Sequence, residues 1–115
     1  MRAARQPARE QIELSQVLYA LSDPVRIDIV AGLAEDGEQA CSNCRIEMPK
    51  SSLSHHFKVL RETGVISTRI EGTRHINSIR STDLNARFPG LLNAVLKAAR
   101  AACRDQAAGS KAAAP

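Results

Sequence analysis

Aromatic residues are scarce in this chain of 115 residues, which has no tryptophan, one tyrosine and two phenylalanines. Its hydrophobic content of 43% includes 18 alanines, many of them near the C-terminus. Such a core is thin for a small domain that stands alone, because small domains bury a low fraction of their surface. A small aliphatic domain often gains burial by pairing with a second copy, so the composition favours a homodimer.

Long apolar runs are absent too, since none reaches the length of about 18 residues that a membrane-spanning helix requires. The first ten residues, MRAARQPARE, carry charges with no apolar segment behind them, so we expect no secretory signal and no membrane partner. The three cysteines are an odd number. Without an export signal, they favour a reduced, cytoplasmic setting over a structural disulfide.

Catalytic motifs are likewise missing. The sequence shows no paired carboxylates and no glycine-rich phosphate loop. Ser54 and His55 are neighbours in a predicted helix, where adjacent side chains point apart. We therefore expect a protein that is not an enzyme.

The net charge of +4 is concentrated in one part of the chain. Between Pro49 and Arg80 lie six basic and two acidic residues, so this window carries the whole excess. All three histidines, His55, His56 and His75, lie there as well. A basic patch on a nearly neutral scaffold predicts a polyanionic partner, and the alternative is a solvated basic face with no partner.

Hydrophobic periodicity divides the chain into helices, a β-hairpin and a last helix. One domain is predicted over 9–104, between a flexible N-terminus, 1–8, and a disordered alanine-rich tail, 105–115. The predicted elements are a helix over 9–21, a helix over 24–36, an ambiguous short helix around 41–46, a helix over 50–63, a hairpin with strands 65–70 and 74–80, a short turn over 82–87 and a helix from about 89 to 104.

Helix caps follow from side-chain chemistry. Ser22 or Asp23 can cap the second helix, and Pro24 suits its first turn because a proline lacks the N–H that would be unpaired there. Ser81 or Thr82 can cap the last helical region.

The segment SSLSHHFKVLRETGVI, residues 51–66, predicts an amphipathic helix that ends at Gly64. Leu53, Phe57 and Leu60 share the buried face, and His56 borders it as a core-edge histidine satisfied by a hydrogen bond. The residues predicted to face away from the core are Ser51, Ser54, His55, Lys58 and Glu62.

The short helix and this basic helix would form a helix-turn-helix, with the hairpin as a wing, in an α+β fold that is mainly helical. Serine hydroxyls can bond phosphate oxygens or base edges in the DNA major groove, and wing arginines can meet phosphates. Idle exposed side chains are the alternative for His55 and the arginines. The residues predicted to contact double-stranded DNA are Lys50, Ser51, Ser52, Ser54, His55, Lys58, Arg69, Arg74 and His75.

Three stretches, LSDPVRIDIVAGLA, KSSLSHHFKVLRETGVI and RIEGTRHINSIR, resemble the ArsR-type winged-helix transcriptional repressors over about residues 12–100. The resemblance implies a homodimer joined through the first and last helices. Each subunit would offer its recognition helix to half of an inverted repeat in a promoter until an inducer releases it. Pro49 replaces the serine cap usual in that family, so the helix could instead begin one turn later, capped by Ser51 or Ser52.

Cys41 and Cys44 have C-x-x-C spacing in a region where some members of that family place thiol ligands. With Cys103 they could bind a soft metalloid such as arsenite, or the pair could form a redox disulfide. The alternative is that they are small buried hydrophobic residues. No histidine follows His75, so the family's zinc site on the last helix is not expected, and neither is any other cofactor.

Two further alternatives stay open. A small organic inducer could bind at the dimer interface. A winged-helix module could also serve as a protein-interaction adaptor without binding DNA, although such a groove usually exposes large apolar side chains.

Overall fold

The computed structural model describes residues 6–37, 39–40 and 46–112, with side chains for 6–37 and 46–101. The helices are α1 Leu14–Ala20, α2 Pro24–Asp36, α3 Lys50–Thr63, α4 Ser81–Arg87 and α5 Leu91–Ala112, and a 3-10 turn, Arg9–Gln11, precedes them. The strands are β1 Gln39–Ala40, β2 Ile66–Glu71 and β3 Arg74–Ile79, in the order β1-β3-β2. This mainly helical fold with an antiparallel hairpin confirms the predicted fold class.

The start of α2 is capped by Asp23, one of the two predicted residues. Its Oδ2 accepts the backbone N–H groups of Val25 at 2.9 Å and Arg26 at 3.2 Å. Gly37 ends the helix at φ 80°, a conformation that glycine adopts without a steric penalty. Both ends of α2 are therefore set by local sequence.

Helix α3 spans Lys50–Thr63 and ends at Gly64, as predicted, with φ 91° at that glycine. Pro49 is the N-cap residue, and its carbonyl accepts the N–H of Leu53 at 3.0 Å. The alternative start one turn later, with Ser51 or Ser52 as the cap, is wrong. The first bond of the helix needs only a backbone carbonyl, which proline has.

The start of α4 and the end of α5 differ from the sequence prediction. The N-cap of α4 is Arg80, with no side-chain cap, so the predicted caps Ser81 and Thr82 are wrong. The Arg80 carbonyl accepts the N–H of Leu84 at 2.9 Å. Helix α5 continues to Ala112, beyond the predicted end near 104, which fits the high helix propensity of its many alanines. Residues 113–115 of the predicted tail lie outside the described residues.

The core lies between α1, α2, α3, β2 and the first turn of α5. Ile12 is fully buried beside Gly64, where a β-carbon would lie 2.6 Å from Cγ1 of Ile12. Glycine at this position therefore serves both the turn and the close contact. The buried apolar residues are Ile12, Val17, Ala20, Leu21, Ile29, Val30, Leu33, Phe57, Leu60, Val65, Ile66, Ile76, Leu84 and Leu92.

The hairpin has the predicted turn, with Glu71 opposite Arg74 and Gly72 at φ 64°. Strand β2 begins and ends one residue later than predicted, and β3 ends one residue earlier. Strand β1 pairs antiparallel with β3 and was not predicted, because a two-residue strand has no measurable alternation. The short helix predicted around 41–46 falls mostly on 41–45, which lie outside the described residues.

Residues 6–8, predicted to belong to a flexible N-terminus, are held against the hairpin instead. The side-chain amide of Gln6 makes two hydrogen bonds with the backbone of Thr68. Gln6 and Thr68 are 62 positions apart, so no local sequence pattern predicts their contact. In the ranges that the structure describes, no helix is both long and apolar enough to cross a membrane.

Candidate nucleic-acid interface

Helix α3 presents a continuous polar face to solvent. Its opposite side is anchored by Phe57, 4% exposed, and Leu60, fully buried. The residues predicted to face away from the core are exposed; Glu62 lies near the carboxyl end of the helix, and the residues before it carry no negative charge. We call this set the recognition face; its exposed members are Lys50, Ser51, Ser52, Ser54, His55 and Lys58.

The amino-terminal end of α3 is electrostatically positive. Its first turn has no acidic residue and no side-chain cap, and the helix begins at the basic residue Lys50. The helix dipole adds a partial positive charge at the same end. An anion such as a phosphate oxygen would be stabilised there.

Arg26 fixes α3 to the preceding helices, although only 6% of it is exposed. Its Nε donates to the carbonyl of Ala20 at 2.7 Å, at the end of α1. Its Nη1 lies 3.2 Å from Nδ1 of His56, which accepts because an arginine can only donate. The prediction that His56 is a core-edge histidine with a hydrogen bond is therefore confirmed. The role of Arg26 was missed, and the DPVR motif was the available signal.

The wing, defined as residues 66–79, carries the second basic surface. Arg69, Arg74 and His75 are exposed near its tip, as predicted. Nε of Arg69 lies 2.8 Å from Oε2 of Glu71, so this arginine forms an ion pair within its own strand. An exposed pair of this kind is weak, and a phosphate can displace it.

The base of the wing is more deeply buried than its tip. Asn77 is fully buried, and its Oδ1 accepts the hydroxyl of Thr68 at 2.6 Å. Ile70, nearer the tip, is 47% exposed. Strand β2 packs against α3, from which it is separated by Gly64 and Val65, so the base of the wing is fixed to the recognition helix.

Arg80 belongs to the basic window of the sequence but not to this surface. Its Nε and Nη2 donate to Oδ2 of Asp83 at 3.0 and 2.8 Å, and Nη1 donates to the carbonyl of Pro7. Hydrogen bonds from Arg9 and Arg80 hold the pKa of the Asp83 carboxyl below its ordinary value. Arg80 therefore stabilises the fold, and the exposed charge is smaller than the sequence count indicated.

Cys41 and Cys44, the predicted thiol pair, lie outside the described residues, and so does the side chain of Cys103. Among the described side chains, no group of three or more histidines, cysteines or carboxylates is placed to hold a metal ion. The sensor prediction remains a prediction.

Known proteins share both the sequence and the fold. A family model described as a helix-turn-helix domain matches residues 21–69. The HTH-type transcriptional regulator YceK of Bacillus subtilis is 32% identical over 81 residues, which are 68% of this chain and 81% of that protein. The regulator MJ1325 of Methanocaldococcus jannaschii is 33% identical over 63 residues, which are 51% of this chain and 68% of that protein.

Two further matches carry a more specific description. An arsenical resistance operon repressor of Staphylococcus xylosus is 35% identical over 65 residues, 56% of this chain and 62% of that protein. The crystal structure of an ArsR family transcriptional regulator superposes with a TM-score of 0.55 at 21% identity, covering 96% of this chain and 100% of that one. At that identity the superposition shows the shared fold.

Proposed function

The chain belongs to the ArsR-type family of winged helix-turn-helix transcriptional regulators, and from this premise we propose that it is a homodimeric repressor of promoter DNA. Each subunit places α3 in the major groove of one half of an inverted repeat, and an inducer releases the complex. Its relatives are transcriptional regulators and not enzymes, in agreement with the expected absence of catalysis.

The recognition face carries the proposal. Its serines, His55 and Lys58 offer hydroxyl, imidazole and ammonium groups to base edges and phosphates. Burial of Phe57 and Leu60 behind them holds the helix as a rigid unit. A protein-binding adaptor would instead expose large apolar side chains on this face, and α3 exposes none.

The first helix supports the dimer. Leu14, Leu18 and Tyr19 are 46%, 48% and 53% exposed, although each is a large apolar or aromatic side chain. On α5, Leu91, Val95 and Leu96 are only partly buried. Pairing α1 and α5 with a second copy would cover these surfaces. It would also set two recognition helices about one turn of DNA apart.

The test measures the binding of the full chain to the DNA upstream of its own gene. Fluorescence anisotropy gives the affinity over a range of salt concentrations. If both subunits contact phosphates, raising the salt concentration from 50 to 200 mM should lower the affinity by a factor of about 10³–10⁵. Lys58→Glu should abolish binding while analytical ultracentrifugation still shows a dimer. Lys97→Glu, the same charge change on an exposed residue of α5, is the control once ultracentrifugation shows that it is still a dimer.

Two results would count against the repressor. One is a wild-type dimer that does not bind any upstream fragment. The other is binding that changes little with salt and equally in both lysine variants. Either result would favour the adaptor alternative.

A thiol sensor is a second candidate, favoured by the likeness to an arsenical resistance repressor and by the C-x-x-C spacing of Cys41 and Cys44. If the thiols bind a soft metalloid, arsenite should lower the DNA affinity of the wild type and leave that of Cys41→Ser unchanged. A peroxide-driven disulfide would give the same pattern with oxidant. Cys103→Ser tests whether the third thiol takes part, and an equal response in the wild type and Cys41→Ser would exclude the sensor.

As a regulator that acts on DNA inside the cell, the protein is proposed to be cytoplasmic.

A further inference from the structure

Residues 6–12 form a segment that we call the N-terminal strap, which crosses from the wing to the core. Its far end, Ile12, is fully buried against Gly64 at the end of α3. Its near end reaches β2, the edge strand of the sheet. The strap therefore links the wing to the carboxyl end of the recognition helix.

Gln6 pairs with the edge of β2 as a neighbouring strand would. The backbone N–H of Thr68 donates to Oε1 of Gln6 at 2.8 Å, and Nε2 of Gln6 donates to the carbonyl of Thr68 at 3.1 Å. One side chain thus satisfies both backbone groups that Thr68 turns toward the open edge of the sheet. The next residue along β2 is Arg69, one of the proposed phosphate contacts.

Polar contacts with Arg80 and Asp83, at the start of α4, hold the next part of the strap. Nη1 of Arg80 donates to the carbonyl of Pro7 at 2.6 Å, and Nε of Arg9 donates to Oδ1 of Asp83 at 2.7 Å. A solvent-open cleft of about 510 Å³ lies between Gln6 and Pro7, the base of the wing and the start of α4. The near end of the strap is therefore restrained by hydrogen bonds and not by apolar packing.

The core does not cover the wing beyond Thr68. Every residue from 69 to 75 is exposed, so the tip gains nothing from the core. A two-stranded ribbon without such support is marginally stable and samples a range of orientations. A restraint on the last half-buried residue of β2 reduces that range.

We propose that Gln6 is a positioning residue for DNA binding, which holds the wing at the angle where its arginines and α3 engage the DNA together. The proposal rests on the proposed DNA-binding function. Gln6 need not touch DNA, because the restraint removes conformational freedom that the wing would otherwise lose on binding. The arginines that profit are Arg69 and Arg74.

A double-mutant cycle tests this inference with the full-length dimer. Gln6→Ala should weaken DNA binding about threefold to tenfold in the otherwise wild-type protein. In an Arg74→Ala background the same substitution should have a clearly smaller effect, because the charge that the restraint positions has been removed. Asn85→Ala, which replaces an exposed amide side chain of α4 outside the proposed dimer helices, should leave the affinity unchanged.

Two further measurements separate positioning from a general loss of stability. Amide hydrogen exchange at Thr68 should accelerate in Gln6→Ala while the amides of α3 keep their protection. Gln6→Glu keeps an acceptor for the N–H of Thr68 but cannot donate to its carbonyl, so exchange at Thr68 should be faster than in the wild type and slower than in Gln6→Ala.

The outcomes are distinct from those of the proposed function. If the wild type does not bind DNA, the proposed function fails. If the wild type binds but Gln6→Ala binds equally well, or weakens binding equally with and without Arg74, the positioning role is overturned while the repressor stands.

Discussion

Helix α3 and the wing are both proposed to meet DNA, but the protein holds them by different means. Behind the recognition face, Phe57 and Leu60 are buried in the core. The wing tip has no buried residue, and Gln6 restrains the wing through hydrogen bonds at Thr68. Apolar burial fixes α3 and the base of the wing, where Ile66 is fully buried, whereas the exposed tip depends on hydrogen bonds at Thr68. Changes behind α3 should therefore alter global stability, and changes around the wing should mainly alter DNA affinity.

The largest effect is expected from Leu60→Ala, which removes the apolar support of α3. Leu60 is fully buried, so the cavity should lower the free energy of unfolding by about 3–5 kcal/mol. Urea denaturation followed by circular dichroism measures this loss. Ser54→Ala, on the exposed side of the same helix, should change stability by less than about 0.5 kcal/mol. Similar values for the two variants would contradict the division between the faces.

A pair of glycine substitutions compares the helix end with the wing turn directly. Gly64 and Gly72 both have positive φ, at 91° and 64°. A β-carbon at Gly64 would lie 2.6 Å from Cγ1 of the buried Ile12, whereas none of the surrounding atoms lies within 4 Å of one at Gly72. Gly64→Ala should cost about 2–4 kcal/mol of stability, and Gly72→Ala about 1–2 kcal/mol.

Urea denaturation of both glycine variants gives the comparison. Equal losses would mean that backbone strain alone decides and that the contact with Ile12 relaxes freely. A larger loss at Gly72 would reverse the contrast between the two regions.

The sequence could predict both α3 and the hairpin, because each is specified by residues close together in the chain. Periodicity and a terminal glycine specify α3, because Leu53, Phe57 and Leu60 repeat at helical spacing before Gly64. Alternation and Gly72 specify the hairpin. Both signals come from residues close together in the chain, and the structure confirms both elements.

The restraints on these elements could not be predicted, because they join residues far apart in the sequence. Gln6 meets Thr68 across 62 positions, and neither residue type favours such a contact. The burial of Arg26 was missed for a similar reason, since an arginine is buried only where acceptors surround it. Its carbonyl partner on α1 and His56 on α3 come together only in the folded chain.

Acidification should weaken the contact between the strap and Asp83, with a smaller loss of stability than the core substitutions cause. The pKa of Asp83 is lowered by its hydrogen bonds from Arg9 and Arg80, so the folded state binds its proton less readily than the unfolded state does. The resulting stability is present above the ordinary value of 3.8 and is lost as the pH falls through the lower folded pKa. Asp83→Asn should lose about 1 kcal/mol or less at neutral pH.

Urea denaturation between neutral and acidic pH measures the effect of Asp83→Asn. Its stability should fall less steeply than that of the wild type below about pH 4. Asp28→Asn, at an exposed position of α2, should retain the wild-type slope. If Asp83→Asn also retains that slope, the two arginines do not stabilise the carboxylate.

The smallest expected effect is a gain of affinity at the wing. Glu71 holds the guanidinium of Arg69 at 2.8 Å, with both side chains about half exposed at 55% and 50%. Glu71→Gln should remove both the ion pair that holds Arg69 and a negative charge near DNA, which tightens binding roughly twofold to fivefold. Anisotropy at moderate salt measures the change, and Glu35→Gln, exposed near the end of α2, is the control.

The Arg69→Ala background separates the two causes of that gain. If Glu71 acts by holding Arg69, most of the gain should disappear when the arginine is absent. An undiminished gain would mean that the carboxylate acts only through its own charge. In that case the wing would be tuned by long-range electrostatics and not by the ion pair within its strand.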